Sequence, residues 1–365
     1  AGLRTLVVEK VPLPRYKACG GAIPRTALER FPFDFDSVIR AAPSDVRFTF
    51  PNLTPVDIHL PDRPVVMVMR SEFDAFLLSH AEAEIMAGAA VTRVTESDDR
   101  VTVEAGGRRF TARYLVGADG ATSTVARHLD LRSGRQFGAA LEAEVPFNDD
   151  SFVREEYSQR ALFALGAIDW GYGWVFSKDD GLSVGIGRIR PGRAHLASAL
   201  RQEMAHLGIG LEGVKLHGHP LPCYQAPPWP FWRGQPQERL STRRCLLVGD
   251  AAGLVDPLIG EGMRYAITSA RLASEAIANG DLSGYEAAIW QAIGHSLATS
   301  GLAASTYYRA PRQCYQLGVR NPAVVRELVD VLAERFSYEG IGRRLWAATF
   351  RWLLAGQQAG RGGAG

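Results

Sequence analysis

At 365 residues, with 46% hydrophobic residues, 38 glycines and 20 prolines, the chain has the composition of a turn-rich folded protein long enough for two domains. Its 41 basic and 39 acidic residues leave a formal net charge of +2 without a long single-sign block, which argues against a nucleic-acid partner. Four scattered cysteines, Cys19, Cys223, Cys245 and Cys314, form no CxxC pair, so they suggest neither a disulfide framework nor a zinc site.

No signal peptide and no apolar run of about 18 residues is visible, so a cytoplasmic location is expected. The segment Leu345–Leu354 reads as a helix packed on the body of the protein, with peripheral membrane contact as the alternative.

In chain order, Leu3 to Lys10 reads as a buried strand closing on Glu9. In a dinucleotide-binding unit such an acid meets the adenosine ribose about 20 residues after a glycine fingerprint. The strand, glycine turn and helix that should precede it are absent, which reads as an N-terminal truncation or a mis-assigned start. Pro12 to Gly21 reads as a loop, and Pro24 to Arg30 as a short helix. Val46 to Met69 is extended and punctuated by prolines. A helix follows from Arg70, with Ser71 as its cap and Phe73, Phe76, Leu77, Ala81 and Ile85 on its apolar side.

Val101 to Leu115 has the pattern of a hairpin turning at Gly106-Gly107. Asp119-Gly120 ends another buried strand, and Arg127 should lie on a short helix. From Phe137 to Gly234 the pattern is mostly strands of period two, interrupted by one helix near Ala194–His206. This block suits a layer covering a substrate. His217-x-His219 places two imidazoles on one strand face, but without a third ligand it reads as incidental.

Leu246 to Ala252 ends an apolar run in Gly249-Asp250. Gly260-Glu261-Gly262-Met263 then opens a helix to Asn279, with Met263, Ile267, Ala270, Ala273, Ala276 and Ile277 on one stripe and Gly280 as terminator. A carboxylate at such a place can accept hydrogen bonds from sugar-like hydroxyls. Amides at the helix start can hold an electron-rich ring. That pairing suits a flavin dinucleotide. Asp256-Pro257, between the two, reads as loop packing. Each glycine motif alone is weak evidence. Their order, from Glu9 through Arg70, Asp119-Gly120 and Gly249-Asp250 to Gly260-x-Gly262, is what one cofactor-wrapping fold requires.

Over nearly its whole length the chain resembles the flavin-containing hydroxylase and reductase superfamily typified by p-hydroxybenzoate hydroxylase. Within it, the chain looks most like the geranylgeranyl reductase family. Arg15-Tyr16-Lys17-Ala18-Cys19-Gly20-Gly21 and Tyr172-Gly173-Trp174-Val175-Phe176-Ser177-Lys178 carry the closer resemblance, and Gly249-Asp250 to Ala276 the broader one. The implied fold is α/β: a Rossmann-like FAD-binding domain without its first βα unit, an inserted β-sheet-rich substrate domain and a helical C-terminal region. The corresponding boundaries are 1–135 and 237–285 for the two parts of the FAD domain, 136–236 for the substrate domain and 286–365 for the helices, with strands of the substrate layer near 46–69.

The resemblance also implies roles. Glu9 would bind the adenosine ribose, Cys19 and Gly20 would line the flavin, and Arg70 would reach the ribityl-pyrophosphate. Val94 would touch adenine through its backbone, and Asp119 would serve the nucleotide. Gly249-Asp250 would hold the ribityl or pyrophosphate end, and Gly262 and Met263 would offer amides to the ring. Tyr172 and Trp174, at i and i+2 on one strand face, would line a prenyl pocket, although such pairs are usually core.

Ser177 stands where the family usually has proline, and Ala270 where it has a glycine. The implied activity is reduction of carbon–carbon double bonds in a geranylgeranyl or other prenyl chain by hydride from reduced flavin. NADPH or a ferredoxin-like protein would be the electron donor, and no proton donor can be named. The alternatives are an aromatic monooxygenase using NAD(P)H and oxygen, or an inactive truncated flavoprotein. No Trp-x-Trp-x-Ile-Pro segment speaks for a halogenase.

Overall fold

A computed structural model describes residues 2–131, 137–147, 151–192, 194–225 and 239–336, together with 338, 340, 341, 343, 344 and 347. The architecture is mixed α/β with a helical C-terminal region. Its largest element is a seven-stranded sheet in the order His217–Leu221, Gly138–Pro146, Gly181–Arg188, Gly171–Ser177, Arg160–Leu165, Asp45–Thr49, Val56–His59. Neighbours run antiparallel except Asp45–Thr49, which pairs in parallel with Arg160–Leu165.

Strand alternation gives this sheet two unlike faces. Leu141, Ala143, Val145, Leu162, Ala164, Val175, Leu182, Val184 and Ile186 point one way and pack with Leu200 and Met204 of the helix Leu196–His206. Ala161, Phe163, Tyr172, Trp174 and Phe176 belong to the other face. Gly185 makes that second face workable: a Cβ there would stand 2.1 Å from Trp174 Cζ2. The bare strand lets the indole lie flat across its neighbour.

The remaining strands form smaller sheets. Leu6–Val8 pairs in parallel with Glu84–Met86, and Leu115–Gly117 with Cys245–Leu247. Val91–Glu96, Val101–Ala105 and Arg108–Ala112 make a meander that turns at Gly106 and Gly107, both at positive φ as that turn requires. Cys245, Leu246 and Leu247 are wholly buried, and the Tyr285 hydroxyl donates to the Leu247 carbonyl at 2.7 Å.

Several local expectations are corrected. The helix at Arg70 ends at Ser79, and Ile85 lies instead in the strand Glu84–Met86, opposite Val7. Ser71 is not its cap. The cap lies two residues earlier, at Met69, and the Arg70–Asp74 ion pair at 2.8 Å braces the first turn. A second helix, Ser151–Tyr157, interrupts the β-rich region; it buries only Val153 and Tyr157, too short a stripe to read as periodic.

The helix Met263–Asn279 does end on Gly280 at positive φ, but its buried face is Arg264, Tyr265, Thr268, Ser269 and Ala273. Of the expected stripe, Ala273 is buried and Met263, Ile267, Ala276 and Ile277 pack against neighbouring cores; apolar periodicity missed only the polar part of the face. Ala270 is exposed, so no close approach depends on it; Ala266 packs on Gly249 instead. The segment 345–354 lies, apart from Ala347, outside the described residues.

Candidate functional site

Three pieces of chain enclose a cavity of about 260 Å3: the aromatic face of the large sheet, the loop around Lys17–Gly21, and the loop Asp250–Met263. Most of its lining is apolar. Its walls bring together Cys19, Gly20, Arg70, Tyr172, Trp174, Asp250, Gly262 and Met263, residues drawn from five separate stretches of sequence. Glu9, Val94, Asp119 and Gly249 are not in these walls.

Backbone lies bare to the cavity where glycines replace side chains. A Cβ on Gly20 would stand 2.9 Å from the Phe176 ring and 3.1 Å from Trp174 Nε1, a buried nitrogen with no hydrogen-bond partner. Gly21, at φ +78°, could carry no side chain without striking the Val68 carbonyl at 2.1 Å. On the facing loop, a Cβ on Gly262 would come within 3.3 Å of Asp250 Oδ1, just before the helix Met263–Asn279 begins.

Asp250 is the electrostatic focus. Lys17 Nζ lies 3.2 Å and His219 Nε2 3.6 Å from its Oδ2. Burial pushes the Asp250 carboxyl up, but His219 and Lys17 outweigh it and hold the group well below the usual carboxylate range. Arg70 donates to both oxygens of Asp74, at 2.8 and 3.0 Å, and Arg15 bridges Asp74 at 3.3 Å and Glu9 at 2.9 Å. Glu9 closes the strand Leu6–Val8 and also accepts from the Val11 amide. Lys17 and Arg70 thus line the cavity, and Arg15 stands behind Arg70 on the shared partner Asp74.

The residues outside the walls have local tasks. Asp119 accepts from the Ser123 hydroxyl and the amides of Thr124 and Val125, at 2.5, 2.7 and 3.1 Å, and so caps the helix Thr124–His128. The Val94 amide donates to His128 Nδ1 at 2.9 Å, and its side chain is buried. Gly249, at φ +53°, turns the chain from the strand Cys245–Leu247 towards Asp250.

Sequence reasoning missed three groups. His217 and His219 both line the cavity: His217 packs on the Tyr16 ring at 4.2 Å, and His219 faces Asp250. Asp256, fully buried, accepts from the amides of Leu258 and Ile259 at 2.8 and 3.2 Å, from Ser300 Oγ at 2.5 Å and from the Tyr265 hydroxyl at 3.2 Å. It is this carboxylate that shapes the loop before Gly260. Tyr172 donates to the Ile259 carbonyl and Tyr308 to that of Leu258, which ties the loop to the sheet and to the C-terminal helices.

The third missed group is Glu142, 2% exposed on the cavity side of the strand Gly138–Pro146. Its signal was present as Glu142-x-Glu144, two acids on one face of an otherwise apolar strand.

The chain's residues 39–165 match a family described as an FAD binding domain. It is 31% identical over 309 residues to the chloroplastic geranylgeranyl diphosphate reductase of Oryza sativa, covering 78% of this chain and 63% of that protein. It is 28% identical over 312 residues to the menaquinone reductase of Mycolicibacterium smegmatis, covering 79% of this chain and 74% of that protein. The chain thus spans somewhat less than two thirds of the rice relative's length. In three dimensions it is similar to a geranylgeranyl bacteriochlorophyll reductase-like protein of Thermoplasma acidophilum, with a TM-score of 0.72 at 21% identity, over 95% of this chain and 89% of that one. That likeness speaks for the shared fold.

Proposed function

Because this chain belongs to the geranylgeranyl-reductase-like family of FAD-dependent oxidoreductases, we propose that it saturates carbon–carbon double bonds of a prenyl chain. The observation that carries the reading is the cavity itself. Bare backbone at Gly20 and Gly262 borders a pocket floored by Tyr172, Trp174 and Phe176. An unactivated alkene presents no carbonyl to polarise, so an apolar, aromatic-lined chamber is the site its chemistry needs.

The residues present fit FAD. Gly20 and Gly262 bare the backbone at the cavity wall, the Trp174 N–H has no partner among the described residues, and the wall cations Lys17 and Arg70 suit a pyrophosphate. Glu9 and Arg70 would hold the nucleotide half, Asp250 the ribityl chain, and the amides at Gly262 and Met263 the pyrimidine side of the ring. Once reduced by its electron donor, the bound flavin would supply hydride to the alkene and return to FAD. Tyr172 and Trp174 orient the prenyl chain and exclude water from it. NADPH or a ferredoxin-like protein would be the electron donor.

The test is anaerobic incubation of FAD-reconstituted, dithionite-reduced protein with geranylgeranyl diphosphate and prenyl quinones, followed by mass spectrometry. A gain of two hydrogens per double bond is expected. Unchanged mass across all of these substrates overturns the reading, and substrate-stimulated oxygen uptake would replace it with a monooxygenase.

A further inference from the structure

Reduction of an alkene needs a proton as well as a hydride, and among the described residues three acids line the cavity: Asp250 is held by Lys17 and His219 and Glu261 by Arg264, which leaves Glu142 on the sheet face. Glu142 Oε1 lies 3.2 Å from Ser183 Oγ, and Oε2 accepts from the Tyr16 hydroxyl. Both donors are neutral. The nearby ammonium of Lys178 goes to Glu144, at 2.6 Å, and to Met69 Sδ, at 3.0 Å. Among the described residues, Glu142 is therefore a buried carboxyl without an ion pair of its own, beside a second carboxyl that has one. His217 faces it from the adjoining strand, directly opposite in register, and packs on Tyr16. Tyr16 is 42% exposed while Glu142 is 2% exposed, so one hydrogen bond spans the distance from solvent to the cavity wall.

We propose that Glu142 is the acid that protonates the substrate carbon and that Tyr16 reloads it from solvent. This rests on the prenyl-reductase reading. The hydride, which reduced flavin supplies when bound, ends on one alkene carbon with its electron pair. The O–H bond of Glu142 breaks, its proton forms the C–H bond on the other carbon, and its electron pair stays on the carboxylate. The carboxylate then takes the Tyr16 hydroxyl proton as that oxygen receives one from water. Burial, and then the hydrogen bond and charge of Glu144, push the Glu142 carboxyl up to about 8, so it carries its proton at neutral pH.

The experiment compares holoenzyme with its Glu142→Gln variant, which keeps the shape of the side chain. Infrared titration of wild type should show the carbonyl band of a protonated carboxylic acid that fades with a midpoint near pH 8 and is missing in the variant. In anaerobic single turnover of dithionite-reduced enzyme with geranylgeranyl diphosphate, the variant should reduce the chain about 100-fold more slowly, the usual scale of a lost general acid. The wild-type rate should fall above the same midpoint, and the residual rate of the variant should not.

A variant that turns over as wild type does, or a wild type without the band, overturns the assignment of Glu142 while leaving prenyl reduction standing. A wild type that shows the band but reduces no prenyl substrate overturns the prenyl-reductase reading, and proton delivery falls with it.

Discussion

Two buried acidic clusters flank the cavity, and each sets two carboxyls against one cation. In the first, Arg264 contacts Glu261 at 2.7 Å and Asp256 at 3.8 Å, donates to the Val331 carbonyl at 3.0 Å, and is itself 5% exposed. Asp256 also receives two backbone amides and two hydroxyls. In the second, Lys178 serves Glu144, and Glu142 is left with two hydroxyl donors. The ionisable groups are alike in number, but the donors differ. Backbone amides are fixed in the fold and lead nowhere, so the first cluster shapes a loop. A hydroxyl can both give and take a proton, and one of those at Glu142 reaches solvent.

The sharpest way to break this comparison is Arg264→Met. It strands Asp256 and Glu261 in the interior, and the expected loss is about 3–5 kcal/mol in a urea unfolding experiment, together with weaker FAD retention as the loop before Gly262 relaxes. A loss below about 1 kcal/mol would show that the cluster does not hold the loop.

Glu144→Gln comes next. It removes the partner of the Lys178 ammonium, costing about 2 kcal/mol, and it takes away the neighbour that raises Glu142. The infrared midpoint of Glu142 should then move below 8 and the alkaline fall in rate should move with it; an unmoved midpoint would mean the two carboxyls are independent. The sign of the linkage is worth stating. A carboxyl raised from 4.5 to about 8 gives native protein one more bound proton than unfolded protein across that window. Its contribution is fully present below pH 4.5 and is lost as pH rises to about 8.

The smallest effect is expected at Ser177, whose buried hydroxyl has no partner among the described residues. Ser177→Ala should leave stability unchanged or raise it by up to about 1 kcal/mol, since an unsatisfied buried hydroxyl costs free energy that a methyl group does not. A loss of stability on thermal unfolding would show that the hydroxyl is paired after all.

The glycine-and-acid segments were legible because their chemistry is local. Gly249-Asp250 and Gly260-x-Gly262 carry their turn and helix-start signals within a few residues, and Tyr172 and Trp174 share a face by strand periodicity alone. Glu142 was not legible because its meaning depends on Tyr16, 126 positions away, and on a lysine that favours a different partner. Asp256 was passed over for the proline beside it, since only the folded chain brings Ser300 and Tyr265 to its oxygens. The polar face of the helix Met263–Asn279 belongs to the same class: it is buried to serve partners that pattern reading cannot see.

The parallel ladders have a kinetic consequence. Leu115 pairs with Cys245 and Val46 with Ala161, so each ladder joins stretches far apart along the chain. Contacts of that reach must wait for large loops to close, and they slow folding relative to local pairing. The strand that delivers Gly249 and Asp250 must reach back to Leu115 across the whole intervening β-rich region. The cavity wall that carries Asp250 therefore depends on a long-range pairing, not on a local one.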